Sequence, residues 1–436
     1  MLRSQATLKN SQATLTNFLN SYKNRSTMRR RSLLDQHRLT EREEKNFQIL
    51  ELLRQRGPLT RTELSQGTGF NIVTVSNYVN QFIKQALVLE RGFDISTGGR
   101  KPILVELNAK AGFAVGIDLG PVGASSPHTT MVITDLRGQI VHRAVQPRTT
   151  DSLDRTLHDL GGVIREFLKS SPVDPKKIQG IAIGLPGILD ERAGTVRETS
   201  RHGIRTNYVA IRDQLEAELR LPVLMGSDST LAGYGELRLG LDRLVQNMIY
   251  LYSDVGASLI FNGHIFWGSG GSAGELGVFV PTDDDYLNWI KSPSFVLSNV
   301  WDLGLSAQAK KLIEEGHASA VGELVSGDLS AITLETILQA AQQGDQIASE
   351  LVEHAAMQLG IRIAYLVNLL NPEVVVIGGG IERAGSLLLE PVWRSVKKYA
   401  YEEPASLVDV LPAQLGDNAV ALGAACWVVR EMFIQA

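Results

Sequence analysis

From Glu41 onward, apolar positions recur at helical spacing: Phe47, Leu50 and Leu53 share one side until Gly57-Pro58 interrupts the run. Thr60, with Glu63 three residues later, forms a capping box for a second, short helix that breaks at Gly67-Thr68-Gly69. Asn71 then caps a third helix predicted to reach about Leu87. At about 100° per residue, Val75, Val79, Phe82 and Ala86 fall on one face of it, and Val73, Thr74, Asn77, Gln81 and Lys84 on the other. The runs 88–91 and 103–107 read as two strands joined by the loop Ser96-Thr97-Gly98-Gly99-Arg100-Lys101-Pro102. Two helices around a glycine turn, with a polar outer face and a following hairpin, predict a winged helix-turn-helix.

Past residue 110 strands and helices alternate. Residues 113–120 form a buried run ending in Asp118-Leu119-Gly120, and strands follow at 131–135 and 139–145. Residues 151–169 place Leu157, Leu160, Ile164 and Leu168 on one helical face. A strand at 178–183 ends in Gly184-Leu185-Pro186-Gly187, and a strand pair is expected at 247–251 and 257–261. Two further helices lead into Glu373 to Gly380. The pattern is α/β, with two lobes and a cleft between them. The expected division is an arm over 1–40, the winged helix-turn-helix over 41–108 and the α/β body over 109–436.

Composition changes this picture mainly through charge. The chain of 436 residues is 44% hydrophobic and 21% charged, a globular composition, and no apolar run is long enough for a membrane span. Its single cysteine, Cys426, excludes an intramolecular disulfide and any multi-cysteine zinc site, and suits a reducing cytoplasm. Residues 1–110 carry 18 basic and 9 acidic side chains, a balance of +9, whereas the remainder carries −13. A basic front on an acidic body points the front at a polyanion. The first 40 residues hold Arg29-Arg30-Arg31 and a repeated Ser-Gln-Ala-Thr-Leu at 4–8 and 11–15. They read either as a disordered basic extension or as a DNA-touching arm.

Several of these stretches carry a resemblance. Residues 113–120, 181–187, Gly270-Gly271-Ser272-Ala273-Gly274-Glu275-Leu276-Gly277, the run from Leu334 through Asn371-Pro372 to Gly380, and 415–425 together resemble the ROK family of sugar kinases and sugar-responsive repressors. The resemblance spans about 44–434, and the winged helix in front is similar to the repressor branch. It implies an actin-like, ribonuclease H-like body of two lobes. In the family's kinases two glycine-rich turns hold ATP phosphates through backbone N–H groups. Here the first turn, 120–128, contains Pro121 and Pro127; the second, Tyr252-Ser253-Asp254-Val255-Gly256-Ala257-Ser258, keeps only Gly256 and adds an acid. The resemblance therefore implies a body without phosphoryl transfer, with no catalytic residue and no cofactor. Asp228 matches the family's catalytic Asp, with Ser227 where Asn is usual; it reads as a ligand contact or as a helix cap. Glu275 matches a sugar-binding glutamate, against the alternative of an exposed loop acid, and Gly187 lends backbone to the same cleft. Val278 replaces the family's zinc-binding His, its cysteine cluster is missing, and Thr282-Asp283-Asp284-Asp285 reads as a solvated loop, so no metal site is expected. The stretch 200–208 also lacks a Trp often found there.

These readings combine into a cytoplasmic DNA-binding transcriptional regulator, a repressor of carbohydrate-metabolism genes. It would act as a homodimer on a near-palindromic double-stranded operator, with a small carbohydrate effector in the body. Val73 would meet a thymine methyl, Asn77 or Gln81 an adenine edge, and Thr74 lies on the same face. Arg100 and Lys101 would reach phosphate or the minor groove. Two alternatives remain open: a sugar kinase retaining phosphotransfer, and a DNA-binding dimer indifferent to any effector.

Overall fold

The computed structural model describes residues 39–93, 103–120, 128–148, 152–198, 204–252, 256–276 and 304–436. The N-terminal unit is built from local signals that all form. Helix α1 (Glu41–Arg56) opens on a Thr40–Glu43 capping box. After β1 (Leu59–Thr60), α2 (Arg61–Thr68) opens on the expected Thr60–Glu63 box and closes on Gly69 at φ 74°. Helix α3 (Ile72–Lys84) starts at Asn71, whose side chain accepts from the Thr74 N–H. Val75, Val79 and Phe82 are buried as its period predicts. The helix stops earlier than Leu87, because Gln85 caps it and Ala86 turns into the left-handed region at φ 58°. Ala86 is therefore exposed rather than part of the apolar face. Strands β2 (Val88–Phe93) and β3 (Ile103–Leu107) pair antiparallel, with β1 on the other edge of β3.

The body repeats one sheet plan twice. Its first sheet contains β4 (Phe113–Asp118), β5 (His128–Asp135), β6 (Ile140–Pro147), β7 (Ile178–Leu185) and β11 (Val223–Ser227), in the order β11-β7-β4-β5-β6. The second contains β12 (Met248–Tyr252), β13 (Gly256–Phe261), β14 (His264–Ile265), β15 (Val374–Gly378) and β16 (Asp409–Pro412), in the order β14-β13-β12-β15-β16. Read from β6 and from β14, each sheet begins with two antiparallel pairings and ends with two parallel ones. A small sheet of β8 (Ile188–Asp190), β9 (Thr195–Arg197) and β10 (Arg205–Thr206) borders the first lobe. Helices α4 (Leu153–Ser170) and α5 (Tyr208–Leu219) cover that lobe; α4 buries Leu157, Leu160, Ile164 and Leu168 as its pattern predicts.

Among the described residues four helices, not two, precede β15: α7 (Leu305–Glu314), α8 (Ala320–Leu324), α9 (Leu334–Gln342) and α10 (Gln346–Leu370). With α11 (Ser386–Tyr399) and α12 (Glu402–Leu407) they enclose the second lobe's core around Ile249, Val375, Leu359 and Val392. Two helices lie between the sheets: α6 (Asp228–Gly235), prolonged by a π turn at Glu236–Gly240, and α13 (Ala419–Ile434). Glycines permit their close approach. A Cβ on Gly423 would stand 1.7 Å from the Leu231 carbonyl, and one on Gly116 of β4 1.8 Å from the Ala421 carbonyl. One continuous core then runs from Leu50, Val75 and Phe82 through Phe433 and Ile434 of α13 into the first lobe.

Candidate functional site

Strands β4, β7 and β11 are parallel, so their carboxyl ends align, the usual place for a ligand in an open α/β sheet. Asp118 pairs in register with Gly184, and Leu185 with Ser227. Asp118 is buried, and its Oδ1 accepts from the Gly120 N–H at 2.7 Å. Burial raises its carboxyl to about 6, against the pull of that N–H, His128 and Arg148. Asp228 opens α6. It is the first helical residue rather than the cap: Ser227 occupies the cap position, and its side chain makes no capping bond. Asp228 Oδ1 accepts from the Ser229 N–H at 2.6 Å, and its Cα sits 3.6 Å from where a Gly184 side chain would begin. Burial, reinforced by the charges of Asp118 and Glu275, raises Asp228 to about 8.

Glu275 reaches the same space from the other lobe. Gly256, at the start of β13, bridges to Glu275, and the Ala257 N–H donates to the Gly274 carbonyl at 2.7 Å. Gly274 is required there, since its φ is 95° and a Cβ would lie 1.9 Å from the Ala257 carbonyl. The other end of the segment docks on β8, where the Glu191 N–H donates to the Gly270 carbonyl and the Ser272 hydroxyl to the Leu189 carbonyl. Glu275 itself is exposed at the rim. Desolvation raises its carboxyl to about 7 with Arg197 pulling the other way, and its openness gives that displacement less weight than those of Asp118 and Asp228. Gly187 sits at φ 113° with the Arg197 carbonyl 2.6 Å from its missing Cβ, so it holds β9 against the turn after β7. Asp118, Asp228 and Glu275 thus lie close enough to share one electrostatic field, and Gly187 packs against β9 beside them. Among the described residues, no three His, Cys, Asp or Glu side chains converge as metal ligands would.

The sequence assigned no role to Tyr250 and only a place at the head of the second turn to Tyr252. Tyr250 and Tyr252 share a face of β12, with ring centres 6.4 Å apart. The buried Tyr250 hydroxyl fills the space above Gly378, lying 2.2 Å from where a Cβ would be. Burial first, and then nearby carboxylates including Asp118 and Asp228, push both phenols well above their usual range. Period-two alternation at 250 and 252 was the available signal; which face met the cleft was not.

On the N-terminal unit, Val73 is 66% exposed, Asn77 is exposed and Thr74 half-buried. Gln81 differs: its Nε2 donates to the Ala436 carbonyl at 3.3 Å, so its amide is engaged by the body. Arg100, Lys101, the arm through residue 38, the turn 121–127, residues 253–255, the stretch 199–203, Val278 and residues 282–285 lie outside the described residues. Among the described residues no helix is long and apolar enough to cross a membrane.

A putative xylose repressor from Caldicellulosiruptor sp. is 29% identical over 388 residues, covering 88% of this chain and 95% of the relative. The crystal structure of a ROK family transcriptional regulator, a homologue of the E. coli MLC protein, superposes with a TM-score of 0.68 at 19% identity, covering 90% of this chain and 97% of that one. A ROK family glucokinase from Streptomyces griseus, in complex with glucose and AMPPNP, reaches a TM-score of 0.58 at 23% identity, but covers only 72% of this chain. The ROK family model matches residues 114–431, the whole two-sheet body, and the chain belongs to the ROK family.

Proposed function

We propose that the protein is a DNA-binding transcriptional regulator, a repressor of carbohydrate-metabolism genes. Residues 41–108 act as a winged helix-turn-helix, and residues 109–436 as an actin-like body that dimerises and receives a small carbohydrate. The observation that carries this reading is the outer face of α3: Val73 and Asn77 face solvent on the second helix of a compact helix pair fused to a ROK body. An exposed valine beside an exposed amide suits a major groove, where a thymine methyl and an adenine edge are adjacent targets. Arg100 and Lys101 supply phosphate contacts from the hairpin loop. The names of the similar repressors support the same reading.

The cleft is better suited to binding than to phosphoryl transfer, and no catalytic residue is assigned. An acid raised to about 8 stays protonated at neutral pH, where it donates to a sugar hydroxyl instead of taking its proton. Asp118, with its carboxyl at about 6, is ionised at neutral pH and would repel a triphosphate. Asp228 and Glu275 are assigned to carbohydrate hydroxyls, with Gly187 shaping the wall. The test is selection of duplexes from a random pool by the purified protein, followed by titration with a carbohydrate panel. Enrichment of a two-fold-symmetric sequence is expected. Turnover of ATP with a monosaccharide, lost on Asp228→Asn, would establish the kinase alternative instead.

A further inference from the structure

The joint between the N-terminal unit and the body is filled with charge. Arg238 leaves the π turn with its side chain 11% exposed and its Nη1 3.3 Å from Glu51 Oε1 of α1. Its Nη2 donates to the Gly263 carbonyl at 3.2 Å. The guanidinium also lies over the rings of Phe47 and Tyr234, at 5.3 and 4.9 Å from their centres. Contact runs the other way too, because Arg54 of α1 donates to the Arg238 carbonyl at 3.0 Å. Arg54 forks onto Glu51 through bonds of 2.8 and 2.7 Å. Burial would raise Glu51, but Arg54 and Arg238 outweigh it and hold the carboxyl at about 2.

The opposite end of the same helical run is Asp228, in the cleft. From Asp228 to Arg238 the run rises about 15 Å, and close contacts hinder lateral movement. A Cβ on Gly233 would meet the Ser258 side chain at 2.3 Å, and one on Gly235 the Gly423 backbone at 3.0 Å. The π turn that carries Arg238 is a rare helix form that occurs frequently at functional sites. A buried ion cluster is weak evidence of net stability, and here its bonds run across the joint from α1 to the π turn. The end of α13 and Ala436 beyond it provide a second tie, as Asn46 of α1 donates to the Ile434 and Ala436 carbonyls at 3.1 and 2.7 Å, and Gln81 of α3 to the latter.

We propose that Arg238 is the positioning residue that couples the cleft to the DNA-reading unit, carrying displacement of the helix that begins at Asp228 to Glu51 and Phe47 of α1. This rests on the regulator reading above. Linkage is reciprocal, so DNA bound at one end must be felt at the other. The test follows hydrogen exchange of the full-length chain with and without a random-sequence duplex at low salt, with duplex affinity measured in parallel by fluorescence anisotropy. In the parent protein, binding should change exchange of amides 228–240 by roughly five-fold or more. Arg238→Met should bind the duplex yet lose that response, and Arg238→Lys, which keeps charge toward Glu51, should recover part of it. Phe47→Leu, which spares the ion pairs, serves if Arg238→Met does not fold, and should weaken the response. A parent that binds the duplex without any change at 228–240, or an Arg238→Met response equal to the parent's, would overturn the coupling. A parent that ignores duplex at low salt refutes the regulator reading itself, and the coupling falls with it.

Discussion

Replacing Asp228 by Asn isolates what the cleft costs the fold. An acid whose midpoint rises from 3.8 to about 8 in the native state keeps its proton over a range in which the unfolded chain has lost it. Native stability therefore falls as pH climbs through that window, and the loss is complete above about pH 8. At about 1.4 kcal/mol per pH unit, the formal penalty at neutral pH is about 4 kcal/mol. Asp228 keeps some contact with solvent and shares its field with Asp118 and Glu275, so about 1–3 kcal/mol is the realistic expectation. Asn retains the Oδ1 that accepts from the Ser229 N–H and cannot ionise. Asp228→Asn should accordingly be the more stable protein at neutral pH, by a few degrees in Tm, with the gain shrinking toward about pH 5. Thermal and urea unfolding monitored by fluorescence across that range would measure it. A gain independent of pH, or a variant less stable than its parent throughout, would refute the claim that enclosure holds this carboxyl protonated. A side chain that weakens the fold is better explained by a ligand than by architecture.

Other expectations follow from geometry already described. Gly423→Ala forces the α6–α13 crossing apart against the Leu231 carbonyl and should cost about 2–3 kcal/mol in urea unfolding; a cost below about 0.5 kcal/mol would mean that the crossing is loose. Replacing Arg100 and Lys101 together by Ala should weaken DNA binding and lower the salt slope by about two; an unchanged slope would remove the hairpin loop from the interface. Glu275→Ala should abolish the thermal stabilisation given by any sugar that stabilises the parent, with duplex affinity intact; loss of both would indicate misfolding.

The sequence by itself determined what local chemistry can determine. Thr60 with Glu63 and Asn71 with the Thr74 N–H are contacts across three residues, and both caps form where the sequence puts them. Val75, Val79 and Phe82 turn inward while Val73 and Asn77 face solvent, because a helix's own period separates those faces. The glycine motifs drew attention to Asp228 and Glu275, which the structure brings close enough to share a field. Only tertiary structure decided the rest. The matching order of the two sheets comes from which strands pair, and a strand's own pattern carries no record of its neighbours. The displacement of Asp118 and Asp228 arises from enclosure by separate elements, and the Tyr250 hydroxyl meets Gly378 only once β12 and β15 pair. Gln81 lies on the solvent side by periodicity, yet Ala436, just past α13 and 355 positions away, takes its amide. Glu51 and Arg238, 187 positions apart, are ordinary charged residues until folding removes the water between them and leaves each the other's counterion.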